Sequence, residues 1–446
     1  MEDKTQFVAA IDVGTTKIVS LLGKRNEKNK IEIVDFTRSE SKGIRRGEVL
    51  NPEEVSGVIR NVITDLQGKA GIIFSEVFVG IAGEHIRIVR DRKGLNRPSY
   101  DVSITAAEVE ELKFEARNIA LDEGRQILKV LPMSYIVDSE TNIANPIGML
   151  GRRLEANFNI VVGNIDSIKR IERSVDMSDL TLRDIILEPM ASAEAVLYDD
   201  EREVGVVLVD IGGGTTDIAV FYDNKLRHLA VLPYGGNVIT KDIKEGCELI
   251  ERVAEELKVL HGVALVEAVV EDKTIVIPAK IRGREPKEIS MRNLANIIQA
   301  RMDEIIDGIM FEIDKSGYAD KLGCGIVITG GGATLRYVDQ LFRFRTGKEV
   351  RIGYPGEHLD GKSEKINEPC YATGVGLLMK GFEYMDERFE QMKVSFPENI
   401  EIEQEEPKID IVEQLPKESK KTNFKVLIDK FADSFSGFFV EPESKM

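Results

Sequence analysis

The sequence predicts an α/β protein of two lobes laid out on a duplicated plan. Three observations predict it. Residues 7–17 read FVAAIDVGTTK and residues 205–217 read GVVLVDIGGGTTD, so an apolar strand, an aspartate and a Gly/Thr turn occur twice. Each turn leads into two further strand-like runs, IVSLLG and KIEIVDF in the first copy, IAVFY and KLRHLAVLPYG in the second. Strand-like and helical runs then alternate to about residue 392. A chain of 446 residues is long enough for two or more cores.

The turns carry the chemistry. Glycine lets backbone N–H groups surround an anion, and threonine hydroxyls add donors. Gly14, Thr15, Thr16 and Lys17 in the first copy and Gly212, Gly213, Gly214 and Thr215 in the second are therefore phosphate candidates. Asp12 and Asp217 suit a hydrated Mg²⁺, which prefers few carboxylates and many waters. Neither copy is a Walker A loop, and no helix follows the glycines directly as a Rossmann fingerprint requires.

Between the copies, 51–67 forms a helix with Asn51 as cap and Pro52 in the first turn. EVFVGIAG, 76–83, is a buried strand. The stretch 84–165 changes character: a basic run (HIRIVRDRKGLNRP), a helix at 106–119, strand-like ILKVLPMSYIVD and a loop ANPIGMLGRRLEANFNIVVG. It is expected to be an inserted α+β subdomain. A helix and LTLRDIILEPMASAEAVL close the first half. After the second turn, one helix is expected over 238–261 and another over 290–313, capped by Ser290. Strands in ALVEAVVEDKTIVIPA lie between them. GIVITGGGATL, 325–335, ends a strand in Gly330, Gly331 and Gly332, a backbone against which a flat ring or ribose can lie. Glu255 and Lys258, three apart on one helix face, can bracket a ribose hydroxyl and a purine edge; a surface ion pair gives the same spacing. Together these features point to a nucleoside phosphate, ATP, with Mg²⁺.

The formal charge of −17 excludes nucleic acid as the main partner, because a phosphate backbone needs a basic face. Cys247, Cys324 and Cys370 are scattered, with no C-x-x-C, which argues for a reducing cytosol and against a zinc site. The first residues do not form a signal peptide, and no run of ~18 apolar residues exists to span a bilayer. The four histidines have no ligand spacing.

Beyond Met392 the composition shifts. Residues 393–423 hold eight acidic and five basic groups with three prolines, the signature of a linker. The chain then turns apolar. Phe424, Leu427, Ile428, Phe431, Phe435 and Phe438 fall on one helical stripe, expected to lie on a membrane surface. Burying five phenylalanine rings gains ~7–15 kcal/mol, and ordering about fifteen residues costs roughly as much. One copy should bind weakly, and many copies on a polymer tightly.

The motif order resembles the actin/Hsp70/sugar-kinase superfamily over residues 7–380. The two phosphate motifs start at Asp12 and Asp210, the connecting helices match 188–193 and 372–376, and an adenosine motif matches 329–333. Within it, SKGIRRGEVLNPEE, EVFVGIAGEHIR, NPIGMLGRRLE and the terminal stripe resemble the FtsA family of actin-like bacterial division proteins; Lys129 departs from a frequent histidine. The resemblance implies an actin-like (ribonuclease-H-like) two-lobed ATPase fold with an FtsA-type insertion. The expected layout is a first lobe of 1–83, 166–196 and 350–392 and an insertion of 84–165. A second lobe takes 197–240 and 314–349, with an outer subdomain of 241–313. The linker, 393–423, and the amphipathic helix, 424–440, follow. It further implies a filament-forming, ATP-binding adaptor at the inner face of the cytoplasmic membrane that anchors FtsZ and helps recruit later division proteins. Glu188 would orient a water for slow hydrolysis. Arg292, Asn293, Ile297 and Arg301 would receive the acidic C-terminal peptide of FtsZ. The alternatives are a small-molecule kinase on the same fold, which needs a substrate pocket and an aspartate base, and another actin-like scaffold of MreB or PilM type. A chaperone would need a substrate domain that does not follow.

Overall fold

The computed structural model describes residues 6–26, 30–278, 286–360 and 365–395. The linker and the stripe from Phe424 to Phe438 lie outside the described residues.

Each half of the duplication folds as a three-stranded meander. In the first, Phe7–Val13, Lys17–Arg25 and Ile31–Glu40 pair antiparallel. Glu76–Ile81 and Thr181–Leu187 add parallel strands on one side, and Leu359–Asp360 on the other, giving six strands. In the second, Val206–Ile211, Thr216–Tyr222 and Lys225–Leu232 pair antiparallel, with Ile326–Thr329 and Val350–Ile352 in parallel, giving five. The central strands of both sheets are buried on both faces, which explains their unbroken apolar runs.

The helix Pro52–Ala70 covers the first sheet. The Asn51 side chain accepts from the N–H groups of Glu53 and Glu54, and Gly71 ends the helix in the left-handed region. The insertion is a four-stranded sheet: Arg87–Asn96, Arg153–Asn164, Arg125–Val137 and Glu140–Ile143 in spatial order. One face packs on the helix Ala106–Glu115 in a small core of its own around Leu112, Phe158 and Ile160. The helix Met291–Ser316 buries Leu294, Ile298, Met302 and Ile305, and its cap Ser290 accepts from Asn293 N–H. Two helices join the lobes, Glu188–Val196 and Ala372–Ser395. They cross so closely that a Cβ on Gly376 would overlap the Ala191 carbonyl oxygen.

Four expectations are corrected. The helix expected over 238–261 is two, Gly236–Gly246 and Glu251–His261; the break holds Glu248 at φ 49° and buries Cys247. The stretch drawn as a loop before 165 ends in the twelve-residue strand Arg153–Asn164. Helix 106–119 stops at Glu115. Val350–Ile352, assigned to the first lobe, is the edge strand of the second.

Candidate functional site

The two Gly/Thr turns face one another across the cleft between the lobes. A Cβ on Gly213 would overlap Thr16 Oγ1, one on Gly214 would overlap the Thr15 side chain, and Thr16 Oγ1 donates to Asn237 Oδ1 at 3.4 Å. Both turns spend their carbonyls outward. In the first, Gly14 O accepts from Ser41 Oγ at 2.6 Å and Thr16 O from Ser41 N at 3.0 Å. In the second, Gly212 O and Gly213 O accept from Gly236 N and Asn237 N, the first donors of a helix, at 2.9 and 2.8 Å. Among the described residues, the N–H groups of Thr15, Gly213 and Gly214 donate to no protein acceptor. Outward carbonyls and free N–H groups make an anion cradle.

Acids line the floor. Asp12, Asp210 and Asp217 are buried, and Glu188 opens its helix beside them. Burial pushes Asp12 up to about 6, against the pull of Lys17 and with Asp210 adding to the rise. Burial and the neighbouring Asp210 push Asp217 up to about 8, and its Oδ1 has no hydrogen-bond partner. Burial raises Glu188 well above the usual carboxylate range, and Asp12, Asp217 and Asp210 add to it. Buried, mutually repelling carboxylates with an orphan oxygen are a site short of positive charge. Among the described residues no three acids converge closely enough to ligate an ion together.

The outer candidates lie at the same turn. Lys258 Nζ donates to Gly236 O at 3.0 Å and to Thr240 Oγ1 at 2.8 Å, and pairs with Glu255 at 2.7 Å; Thr240 also donates to Glu255. Lys258 is largely buried, so this is not a solvated surface pair, and burial lowers its pKa. In the third cluster, Gly331 borders open space. Gly330, at φ 82°, would overlap Asp210 Oδ1 with a Cβ, and Gly332 would overlap Ile211. Lys17 is tethered from behind: its ammonium donates to Cys370 O at 2.8 Å and sits 4.3 Å from the Tyr371 ring centroid. It ties the first turn to the start of the second connecting helix while its charge acts on Asp12 and Asp210.

Asp210, Ser192 and Thr373 were not among the candidates. Ser192 Oγ donates to Asp210 Oδ2 at 2.7 Å and Thr373 Oγ1 to the same oxygen at 3.2 Å, so both connecting helices meet on one carboxylate. The duplication contained the signal for Asp210, which stands where Asp12 stands in the first copy.

The residues expected to receive a peptide lie apart from the cleft. Arg301 holds Asp242 with two bonds, 2.6 and 3.0 Å, and Glu304. Arg292 donates to Val269 O at 3.0 Å. Ile297 packs against Gly246, and Asn293 is exposed.

Two lobes, duplicated meanders and facing turns define an actin-like protein. The comparisons agree: the chain resembles the solved PilM–PilN type IV pilus biogenesis complex (TM-score 0.57, 15% identity, 84% of this chain and 98% of that one) and MreB5 of Spiroplasma citri bound to ADP (0.50, 15%, 86% and 98%). A family model for cell division protein FtsA matches residues 207–376, and one for the SHS2 domain inserted in FtsA matches 83–162. Cell division protein FtsA of Pseudomonas aeruginosa is 34% identical over 418 residues, 92% of this chain and 96% of that one; that of Escherichia coli K12 is 32% identical over 385, 85% and 91%. The chain belongs to the FtsA family of cell division proteins.

Proposed function

We propose that the protein binds ATP with Mg²⁺ between its lobes, assembles into filaments, and tethers FtsZ to the inner face of the cytoplasmic membrane. The observation that carries the nucleotide reading is the pair of facing turns with free N–H groups over unneutralised carboxylates. Thr15, Thr16, Gly213, Gly214 and Thr215 hold the phosphate oxygens. Asp12 and Asp217, joined by Asp210, face the hydrated cation, whose charge relieves their repulsion and offsets that of the phosphates. Glu255 and Lys258 sit at the ribose side, and Gly331 offers open backbone to the base. Glu188 holds a water, so slow hydrolysis accompanies binding without being the main task.

The membrane reading rests on the terminal phenylalanine stripe. No helix among the described residues is long and apolar enough to cross a bilayer, so attachment is peripheral in this reading. Arg292, Asn293, Ile297 and Arg301 form the surface for the acidic FtsZ peptide, and later division proteins join the assembled filament. The test is co-sedimentation with liposomes and ATP, comparing the full chain with one ending at Thr422. The full chain should pellet and bring FtsZ down with it. If both chains behave alike, the stripe does not bind lipid and the adaptor reading fails.

A further inference from the structure

The inserted sheet has a second face that the nucleotide reading leaves unused. Strand register sets Arg92 opposite Asn157 and Arg90 opposite Asn159, all on the face away from the insertion's own core. Across from them stand Arg227 and Tyr318 of the second lobe. Together they line a groove of about 490 Å³. Buried Asn159 donates to Leu226 O at 2.9 Å and fixes the two walls together.

The groove is basic in a chain of charge −17. Arg90 is exposed and has no acidic partner among the described residues. The Arg227 guanidinium is 5.6 Å from the Tyr318 ring centroid and 5.8 Å from that of Tyr222; Lys321 Nζ lies 5.3 and 5.1 Å from the same rings and has no acidic partner among the described residues. Asp91 and Asp223 are engaged by Lys93 and by Lys225 and Arg227, and Arg92 is held by Glu155 at 2.6 Å, so Arg90 and Lys321 are the cations left without an acidic partner among the described residues. What remains is a polar slot with stacked, oriented cations, suited to carboxylates.

We propose that the acidic segment 398–413 of this same chain docks in the basic groove between the inserted sheet and the second lobe. The segment reads ENIEIEQEEPKIDIVE, with seven acidic residues against one lysine. It starts three residues after the helix Ala372–Ser395. A relay of contacts leads from that helix to the groove's rim: Lys380 pairs with Glu194, Glu194 with Arg202, and the Arg202 carbonyl accepts from Asn224 N–H beside Lys225. From Lys380 to Ser395 the helix advances ~22 Å. Eighteen extended residues separate Ser395 from Glu413 and span up to ~60 Å, more than twice the length needed to return to Lys380, so the far end of the segment has the chain length to follow that relay. Docking takes up the slack of the tether, holds the terminal stripe close to the body, and makes its release dependent on ionic strength. That consequence rests on the membrane reading; the docking itself does not.

Carbodiimide cross-linking of the full chain without lipid tests the docking, because it joins only a carboxylate and a lysine in direct contact. Mass spectrometry should find Glu398–Glu413 joined to Lys225 or Lys321 within one chain. Their yield should fall about fivefold or more between ~50 and ~500 mM NaCl as the charges are screened. It should fall similarly in the R90E/R227E double variant. A second variant within the segment itself, E403K/E405K/E406K, should lower the cross-links that remain from Glu398, Glu401 and Glu413. Absence of these cross-links overturns the proposal, as does a yield that ignores both variants. A mixture of ¹⁴N and ¹⁵N chains yielding only mixed-isotope products overturns it in favour of docking between copies. Liposome binding plays no part in the readout, so a failed membrane reading leaves the result intact.

Discussion

Replacing Asp217 with asparagine should stabilise the nucleotide-free protein while abolishing its response to Mg-ATP. The Asp217 carboxyl moves from 3.8 to about 8, raised by burial and then by Asp210. That is about four units, a ceiling of ~6 kcal/mol at 1.36 kcal/mol per unit. Water and counter-ions entering the cleft relax part of it, and ~3 kcal/mol is expected to remain. The sign follows from proton counting. Between pH ~4 and ~8 the folded state keeps a proton that the unfolded chain has released, so stability falls as pH rises through this window, and the loss is complete above ~8. Asparagine carries no such cost and still accepts from Thr215 through its amide oxygen. Unfolding entropy of roughly 2.1 cal/mol/K per residue over a core of this size converts ~3 kcal/mol into ~4 °C. The assay is calorimetry in EDTA at pH 5.5 and 8.5, then with ATP and Mg²⁺. Asp217→Asn should melt ~4 °C above the parent at pH 8.5, with a smaller gap at pH 5.5, and only the parent should gain from Mg-ATP. A variant that melts at or below the parent at pH 8.5, or a gap equal at both pH values, refutes the reasoning.

Three other substitutions probe separate parts. Gly376→Ala should cost about 3 kcal/mol in urea unfolding, because the new methyl group meets the Ala191 backbone rather than a side chain that can turn aside. Lys258→Ala should weaken ATP binding about tenfold by isothermal titration, since it removes the cation that ties Glu255 and Thr240 to the first turn of the helix after the phosphate loop. Arg301→Ala should change stability by less than ~1 kcal/mol, because its pair with Asp242 is partly exposed. The same change should lower affinity for an acidic FtsZ C-terminal peptide about tenfold in fluorescence anisotropy; an unchanged affinity removes Arg301 from that surface.

What the sequence made legible was whatever depends on local pattern. Paired apolar runs bounded by Gly/Thr turns became the two meanders, and Asn51-Pro52 became a capped helix start. The misses have particular causes. In 153–164, Leu154, Ala156, Phe158, Ile160 and Val162 alternate with mostly polar neighbours, a strand signal hidden by reading the arginines and glycines before it as a continuing loop. The break at 247–250 follows Gly246, which packs against Ile297 of another helix, a contact with no trace in the local pattern. Val350–Ile352 is three residues long and owes its place wholly to Ile326–Thr329 beside it. Nor does the local pattern show that Cys370 and Tyr371, some 350 residues away, hold the Lys17 ammonium.

Asp210 shows how the cleft and the hinge are one construction. Its carboxylate is buried among other acids, and hydroxyls from both connecting helices stabilise its charged form. A cation entering the cleft would change the field on Asp210 as well as on Asp12 and Asp217, and therefore the strength of the two bonds that Ser192 and Thr373 donate to it. Where those helices cross, Gly376 sits against Ala191 without room for a methyl group, so the two helices are closely packed at the point where they join the lobes. One helix then begins with Glu188 in the cleft, and the other runs from Ala372 to Ser395, where the acidic segment and the phenylalanine stripe follow in sequence. A change of charge in the cleft therefore acts directly on both helices that join the lobes, through Ser192 and Thr373.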